Sequence, residues 1–260
     1  MGKYSGYLIV SDIDNTLLAN GKLPSENVDA IQRFQAEGGR FTLCTGRSSN
    51  FLSTFPFHCN APVATINGTL LCDENGLPLV HMPLLADYRP VIRRILDSFP
   101  GILQADRYYE DHFDCWVRAT GTDPAVLFTD AACYKFFFVC DTEHTALSVM
   151  AYIKENYGEE YETNRSYPLG VEIHQKNSGK GACVRKMRKL LPDVHTVIAA
   201  GDYENDVTML QEADIGCAVD NAIPAVKAVA DRVICSSDEC AIRYIVDTLI
   251  PALPSFPKEN

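Results

Sequence analysis

Residues 7–21 read YLIVSDIDNTLLANG, an apolar run that ends in two aspartates. Four apolar or aromatic residues, a pattern typical of a strand buried on both faces, lead into Asp12 and Asp14 at alternate positions. In an extended turn, carboxylates at alternate positions can point at one place, where they repel each other. Two interpretations explain them: an Asx-type turn that caps the following helix, or a site that holds a cation.

Two further apolar runs end in polar turns that are followed by helical patterns. RFTLC (40–44) leads into Thr45-Gly46-Arg47, and HTVIAA (195–200) leads into Gly201-Asp202. Near-continuous apolar strands that alternate with helices indicate a parallel sheet covered on both faces, so we predict a doubly wound, Rossmann-like α/β fold. Ligands of such sheets bind outside the carboxyl ends of the strands, where all three polar turns fall.

The middle of the chain has a different pattern. Between residues 83 and 175, short strand patterns lie in pairs between helical patterns, and the aromatic run YKFFFVC (134–140) is one of these strands. Paired strands between helices predict an α+β insert built on an antiparallel sheet. We therefore expect two domains: a core formed by residues 1–82 and 176–260, and an inserted domain formed by residues 83–175.

The composition argues against several kinds of partner. The net charge is −11 and there is no long basic block, so we expect no nucleic acid partner, because such binding depends on a basic surface. No apolar run reaches the roughly 18 residues that a membrane helix needs, so we expect no membrane partner. None of the ten cysteines forms a C-x-x-C pair, and several lie in apolar runs. This pattern is typical of reduced, buried thiols and predicts a cytoplasmic protein.

A second acidic group lies in the run GDYENDVTML, where Asp202, Asn205 and Asp206 enter a helix. Taken alone, these residues could cap the helix, because Asp and Asn satisfy its free amides. Together with Asp12 and Asp14 they place up to four carboxylates at neighbouring strand ends, which is unfavourable unless a cation joins them. Oxygen ligands with room for water favour Mg²⁺ over zinc. We therefore predict a Mg²⁺ site.

Two segments could bind an anion. Thr45-Gly46-Arg47 offers a hydroxyl and backbone N–H groups at an apparent helix start, although an ordinary helix cap at Thr45 would use the same atoms. In NSGKGA (177–182), Lys180 stands between two glycines. This segment lacks the spacing of a Walker loop, and a solvated loop lysine is the more common explanation.

In the order DIDNTLL, LCTGR, GKG and GDYENDVTML, these motifs resemble the haloacid dehalogenase (HAD) superfamily, and more narrowly its Cof-type branch, subfamily IIB. TINGTLL (65–71) and the stretch from 213 to 239 are also similar to the family, so the resemblance covers nearly the whole chain. Asn15 and Gly179 stand where this branch frequently has Gly and Ser. Because Asn tolerates the unusual backbone geometry that Gly supplies, the assignment of the site holds.

The resemblance implies a fold and a role for each site residue. The fold would be a HAD core with an inserted α+β cap of the C2B type. Asp12 would be the catalytic nucleophile that forms an aspartyl-phosphate, and Asp14 would be the general acid and base. The ligands of Mg²⁺ would be Asp12, Asp14, Asp202 and Asp206. The residues that bind the phosphoryl group or the substrate would be Thr45, Gly46, Arg47, Lys180 and Asn205.

The insert would close over the site as a cap and would supply substrate contacts. Along LGVEIHQ (169–175), Glu172 and His174 share one face of a strand, and either side chain could touch the leaving group. An ordinary half-buried strand with a wet face would show the same pattern.

The resemblance therefore implies a Mg²⁺-dependent phosphatase for a small phosphorylated metabolite, such as a sugar phosphate or a similar monophosphate. Two alternatives stay open. A sugar phosphomutase would have the same fold, and a ligand-binding or regulatory protein could keep the fold without turnover. We expect a monomer or a homodimer.

Overall fold

The computed structural model describes residues 2–85 and 88–253. The strands, in chain order, are β1 (Tyr7–Ser11), β2 (Arg40–Leu43), β3 (Val63–Thr65), β4 (Leu70–Cys72), β5 (Pro78–His81), β6 (Ile102–Tyr108), β7 (Phe113–Val117), β8 (Lys135–Cys140), β9 (Tyr161–Tyr167), β10 (Gly170–Gln175), β11 (Thr196–Gly201), β12 (Ile215–Ala218) and β13 (Arg232–Val233). The α-helices are α1 (Ser25–Ala36), α2 (Tyr88–Ser98), α3 (Glu143–Tyr157), α4 (Lys180–Leu190), α5 (Val207–Glu212), α6 (Pro224–Val229), α7 (Ala241–Tyr244) and α8 (Ile250–Ala252).

The central sheet is parallel, with the strand order β13-β12-β11-β1-β2. All five residues of β1 are buried. From β1 the chain first moves outward to β2 and later returns to the other side of β1 with β11. This reversal creates a crevice at the carboxyl ends of β1 and β11, where ligands of doubly wound sheets bind. The predicted α/β core is confirmed.

A second sheet is antiparallel, with the strand order β7-β6-β8-β10-β9. It shares an apolar cluster with α2 and α3 that is separate from the cluster of the central sheet. Alternate residues of the aromatic strand β8, Phe136 and Phe138, lie in this cluster and are fully buried. The antiparallel α+β architecture predicted for the middle of the chain is therefore present.

A third, three-stranded sheet of order β3-β4-β5 follows β2 in the chain. The turn between β3 and β4, Ile66–Gly68, lies close to the crevice of the central sheet. All ten cysteines are free; seven of them are buried, whereas Cys59 and Cys235 are half-buried and Cys115 is exposed. Within the described ranges, every helix is too short or too polar to cross a bilayer.

Candidate active site

The turn after β1 sets the direction of the first aspartate. The amide of Asp12 donates to the Ala200 carbonyl (2.9 Å), which keeps Asp12 in line with β11. The chain then makes one short helical turn, Ile13–Leu17, in which Asn15 has a left-handed φ of 58°. Asn adopts this conformation more readily than most residues, as expected. The Asp12 carboxylate caps no helix amide, so the capping interpretation is wrong for this residue.

Three carboxylates meet at the carboxyl ends of β1 and β11. Oxygen atoms of Asp12, Asp202 and Asp206 lie within 4.8 Å of one another, and all three residues are buried. Lys180, the first residue of α4, donates from Nζ to Asp12 Oδ1 and to Asp206 Oδ1, at 2.6 Å each. The structure thus brings four of the predicted site residues, from three distant segments, to one point.

The cluster carries more negative than positive charge. Burial, reinforced by repulsion between the carboxylates, raises the pKa of Asp12 to about 7 and that of Asp202 to about 8. Burial alone would lower the pKa of Lys180, but the carboxylates of Asp12 and Asp206 outweigh burial and raise it. When all groups are ionised, three carboxylates against one ammonium leave a net charge of −2. One divalent cation would balance that charge.

Asp206 also closes its own loop. Its Oδ2 accepts the amides of Asp202 (3.0 Å) and Tyr203 (3.2 Å), so the helix-capping alternative is correct for this residue. Because its Oδ1 faces Lys180, both of its oxygens have partners. The Asp202 carboxylate is held differently from that of Asp206: its Oδ1 accepts a hydrogen bond from the Thr16 hydroxyl (3.2 Å).

Asp14 lies outside the buried triad. Its side chain is 53% exposed and pairs with Arg47, whose Nε donates to Asp14 Oδ2 (2.8 Å) and whose Nη2 donates to Oδ1. This hydrogen-bonded pair raises the pKa of Arg47. The sequence placed Arg47 among the phosphate-binding residues, whereas in the structure its guanidinium holds the carboxylate of Asp14.

The loop 45–47 follows β2 and does not begin a helix. The next helical segment is the 3₁₀ turn Ser49–Thr54, so the predicted helix start at Thr45 is wrong. The reason is that Thr45 is bonded to β3 and to the turn after it. Its amide donates to the Ala64 carbonyl (2.9 Å), and the Thr45 carbonyl accepts the amide of Asn67 (2.8 Å). These bonds hold the loop beside β3.

The site opens into a cavity of about 180 Å³. The residues that line it from the central sheet and its loops are Asp12, Asp14, Asn15, Thr45, Gly46, Arg47, Asp202, Tyr203 and Asn205. The residues that line it from the second sheet are Tyr108, Lys135, Phe137, Ser166 and Glu172. Lys180 and Asp206 lie behind this lining, in contact with Asp12 or with each other.

The two residues predicted in the insert lie in different surroundings. Glu172 lines the cavity and forms a buried ion pair with Lys135 (3.1 Å). His174 lies outside the lining and is fully buried, with Nδ1 bonded to Ser178 Oγ (2.7 Å) and Nε2 to Asn164 (3.0 Å). Burial lowers the pKa of His174. The wet-face interpretation of β10 is wrong, because five of its six residues are buried. Val171 and Ile173 lie in the apolar cluster shared with α2 and α3, and Glu172 lines the cavity.

Sequence reasoning missed several residues at or behind this cavity, among them Lys135 in its lining and Asn67, which contacts Glu172 and Asn205 of the lining. Lys135, hidden in the aromatic run YKFFFVC, is 1% exposed, and Asn67 in TINGTLL is fully buried. A lysine flanked by aromatic residues at a buried strand position was the available signal for the first, because a buried ammonium needs a partner. Asn67 gave no local signal.

A parallel core, an antiparallel insert over its carboxyl ends and an acidic crevice between them define a class of capped α/β enzymes. The chain belongs to the haloacid dehalogenase-like hydrolase family, whose model matches residues 9–100 and 119–246. The resemblance seen in the sequence is therefore confirmed, and we call the second sheet, β6–β10, the cap sheet.

Curated relatives and solved structures are similar over most of the chain. A 5-amino-6-(5-phospho-D-ribitylamino)uracil phosphatase of Bacillus subtilis, YcsE, is 28% identical over 87% of this chain and 88% of its own. An HMP-PP phosphatase of Yersinia pestis is 25% identical over 85% of this chain and 86% of its own. A haloacid dehalogenase-like hydrolase of B. subtilis has a TM-score of 0.81 at 20% identity, covering 93% of this chain and 99% of its own. The subclass IIB sugar phosphatase BT4131 has a TM-score of 0.75 at 20% identity, covering 94% and 98%.

Proposed function

We propose that this chain is a Mg²⁺-dependent phosphatase that hydrolyses a small phosphorylated metabolite, such as a sugar phosphate or a similar monophosphate. The observation that carries the proposal is the position of Asp12, which both lines the cavity and belongs to the triad held by Lys180. A carboxylate so placed can attack a phosphoryl group in the cavity. The phosphatase names of the relatives support the same reaction.

The donor set fits Mg²⁺. It consists of oxygen atoms only, and the surplus negative charge of its three buried carboxylates matches one divalent cation. We propose the side chains of Asp12 and Asp202 and the main-chain carbonyl of Asp14 as ligands, with Asp206 in support. When bound, the ion would neutralise the approaching phosphate dianion and the buried carboxylates.

In the proposed reaction, a carboxylate oxygen of Asp12 attacks phosphorus, and the bond between phosphorus and the leaving oxygen breaks. Asp14 donates a proton to that oxygen as the alcohol departs. Asp14 then takes a proton from a water molecule that attacks the aspartyl-phosphate, which releases inorganic phosphate and restores Asp12. Lys180 stabilises the ionised form of Asp12. Donors for the phosphoryl oxygens come from Thr45, Gly46 and Asn205 at the lining, while Arg47 holds the carboxylate of Asp14.

The remaining expectations are part of this proposal. We propose residues 83–175 as the cap domain and residues 1–82 and 176–260 as the core domain. The free cysteines support a cytoplasmic location, and the acidic surface supports a small metabolite rather than nucleic acid as the ligand. A monomer or a homodimer is the expected assembly.

The function is tested with p-nitrophenyl phosphate. We expect phosphate release in millimolar Mg²⁺ and loss of at least about 100-fold of that rate in excess EDTA, because the ion is needed to neutralise transition-state charge. Restoring Mg²⁺ restores the rate. Hydrolysis that is equally fast in EDTA contradicts the metal requirement, and no hydrolysis of any phosphorylated metabolite in a screen contradicts the proposed function.

The acidic cluster predicts a pH-dependent stability. Folded Asp12 and Asp202 hold protons up to about pH 7 and about pH 8, while unfolded aspartates lose them near their ordinary pKa of 3.8. Between these values the folded state binds more protons, so its stability falls as pH rises. We expect the melting temperature of the metal-free protein to decrease from pH 5 to pH 8.

Mg²⁺ at ten times its Kd should then raise the melting temperature by about 3 to 5 °C at pH 8, and by less at pH 5, where protons compete for the carboxylates. Asp202→Asn relieves the repulsion and should flatten both the pH and the Mg²⁺ response. An Asp202→Asn protein that responds to Mg²⁺ as wild type does would show that the ion binds elsewhere.

A further inference from the structure

The loop 45–47 is held by all three of its carbonyl groups. Its first carbonyl accepts the amide of Asn67 and its third accepts the amide of Ile66, at 2.8 Å each. Its middle carbonyl, that of Gly46, accepts Lys135 Nζ, also at 2.8 Å. Two of these bonds come from the turn between β3 and β4, and the third comes from the cap sheet.

These bonds also fix the directions of the amides of the loop. In a trans peptide the N–H points away from the C=O of the same unit. The Asn67 bond therefore sets the direction of the Gly46 amide, and the Lys135 bond sets that of the Arg47 amide. The Arg47 amide donates to Thr45 Oγ1 (3.2 Å), which leaves the hydroxyl proton of Thr45 available for an acceptor in the cavity.

The turn that supplies two of the bonds is strained. Ile66, Asn67 and Gly68 have successive left-handed φ values of 51°, 56° and 86°. This conformation is unfavourable for a β-branched residue and persists only where the surroundings enforce it. The Asn67 side chain donates to Glu172 of the cap sheet and accepts from Asn205 (3.3 Å). The turn therefore links the loop, the cap sheet and the acidic loop.

Lys135 and Glu172 form a buried ion pair, with side chains that are 2% and 3% exposed. Lys135 Nζ lies 4.3 Å from the centre of the Tyr108 ring, and Glu172 accepts the Ser166 hydroxyl (3.2 Å). Apolar residues of similar volume would pack at least as favourably, because desolvation offsets much of the attraction in a buried pair. The ion pair differs from such an apolar pair in one respect: the ammonium of Lys135 donates a hydrogen bond to the Gly46 carbonyl in the core.

We propose that Lys135 and Glu172 are positioning residues through which the cap sheet orients the phosphate-binding loop 45–47. The inference rests on the proposed function, since it assigns that loop to the phosphoryl group. Glu172 holds the ammonium of Lys135 in place, and Lys135 fixes the Gly46 peptide. Phosphate is bound tightly only while the cap sheet is docked, so substrate binding and cap docking favour each other.

The decisive variant is the double substitution Lys135→Met/Glu172→Gln, which removes both charges and leaves neither buried alone. Its urea midpoint should lie close to that of wild type, whereas Lys135→Met alone should lower the midpoint by isolating Glu172. Inorganic phosphate binding in Mg²⁺, followed by calorimetry, should weaken about 10-fold or more in the double variant. With p-nitrophenyl phosphate, KM should rise and kcat should fall, because the donors of the loop 45–47 bind the phosphoryl group in the bound substrate and in the transition state.

Two controls separate positioning from general cap docking. Arg165→Met removes a different contact between cap and core, the ion pair with Glu204 (2.6 Å), together with the ion pair to Glu143 within the cap (2.8 Å). It should weaken phosphate binding less than the double variant. Arg93→Met removes two exposed ion pairs of α2, with Asp97 and with Asp123, and should leave binding unchanged. If the double variant fails to fold, Glu172→Gln alone should still weaken phosphate binding by about 3-fold or more, because Lys135 loses its partner.

Wild-type phosphate affinity in a folded double variant, or an equal loss in Arg165→Met, overturns the inference. Calorimetry requires no turnover, so this result is independent of whether any substrate is hydrolysed. Failure of the proposed function would appear instead as a wild-type protein that releases no phosphate from any monoester.

Discussion

An Asp12→Asn protein is expected to hydrolyse p-nitrophenyl phosphate at least about 10⁴-fold more slowly than wild type, because an amide oxygen cannot replace the carboxylate as a nucleophile. The substitution preserves shape, and Lys180 can still donate to the amide oxygen. It also removes a carboxylate whose pKa burial raises to about 7. The metal-free variant should therefore melt at a higher temperature than wild type at pH 8, which shows that the loss of rate is not a loss of fold.

The control for this experiment is Asp193→Asn, which changes an exposed aspartate that pairs with Arg40 and is not part of the cavity lining. Its rate should match that of wild type. Trapping with beryllofluoride should label wild type at Asp12 and should leave the Asp12→Asn variant unlabelled. A wild-type rate in Asp12→Asn would remove the aspartyl-phosphate from the mechanism.

The second large effect concerns stability. Lys180→Met leaves two buried carboxylates, Asp12 and Asp206, without their shared ammonium. Breaking a buried pair in this way costs about 3 to 5 kcal/mol, so we expect a loss of that size in the free energy of unfolding at pH 8 without metal. Urea denaturation measures it through the change in midpoint.

Two further variants show whether the loss of stability in Lys180→Met comes from the buried charges. Lys227→Met removes an ion pair with Asp220 at the surface, and exposed pairs contribute about 0 to 1 kcal/mol. Adding Asp206→Asn to Lys180→Met should recover part of the stability, because one of the two isolated charges disappears. If Lys180→Met loses no more than Lys227→Met, the ammonium of Lys180 does not hold the cluster together.

The meeting of the acidic residues was predictable, because the carboxyl ends of parallel strands lie at one edge of a sheet. That rule placed Asp12 and Asp202 together. The family resemblance added Lys180 as a residue that binds the phosphoryl group, and its contacts with Asp12 and Asp206 were not predicted. The boundaries of the cap at 83 and 175 stay a prediction. The sequence patterns therefore predicted which strands carry the site and which acidic residues meet at their carboxyl ends.

The contacts across the cavity were not predictable in the same way. The pairing of Arg47 with Asp14, and that of Lys135 with Glu172, depend on side-chain packing between segments that are far apart in the chain. Alternation along β10 correctly placed Glu172 and Ile173 on opposite faces. It could not show that both faces are covered, since that depends on the helices α2 and α3 and on the core, which are distant in the chain.

The position of β1 between β2 and β11 in the central sheet has a consequence for how the chain is made. Its partner β11 ends at Gly201, so nearly 200 residues separate the two in synthesis. At about 5 to 20 residues per second, a ribosome takes roughly 10 to 40 s to supply that partner. During this interval the nascent apolar strand has one open edge, where chaperones or other nascent chains can bind, and the acidic cluster cannot assemble before Asp206 has been synthesised.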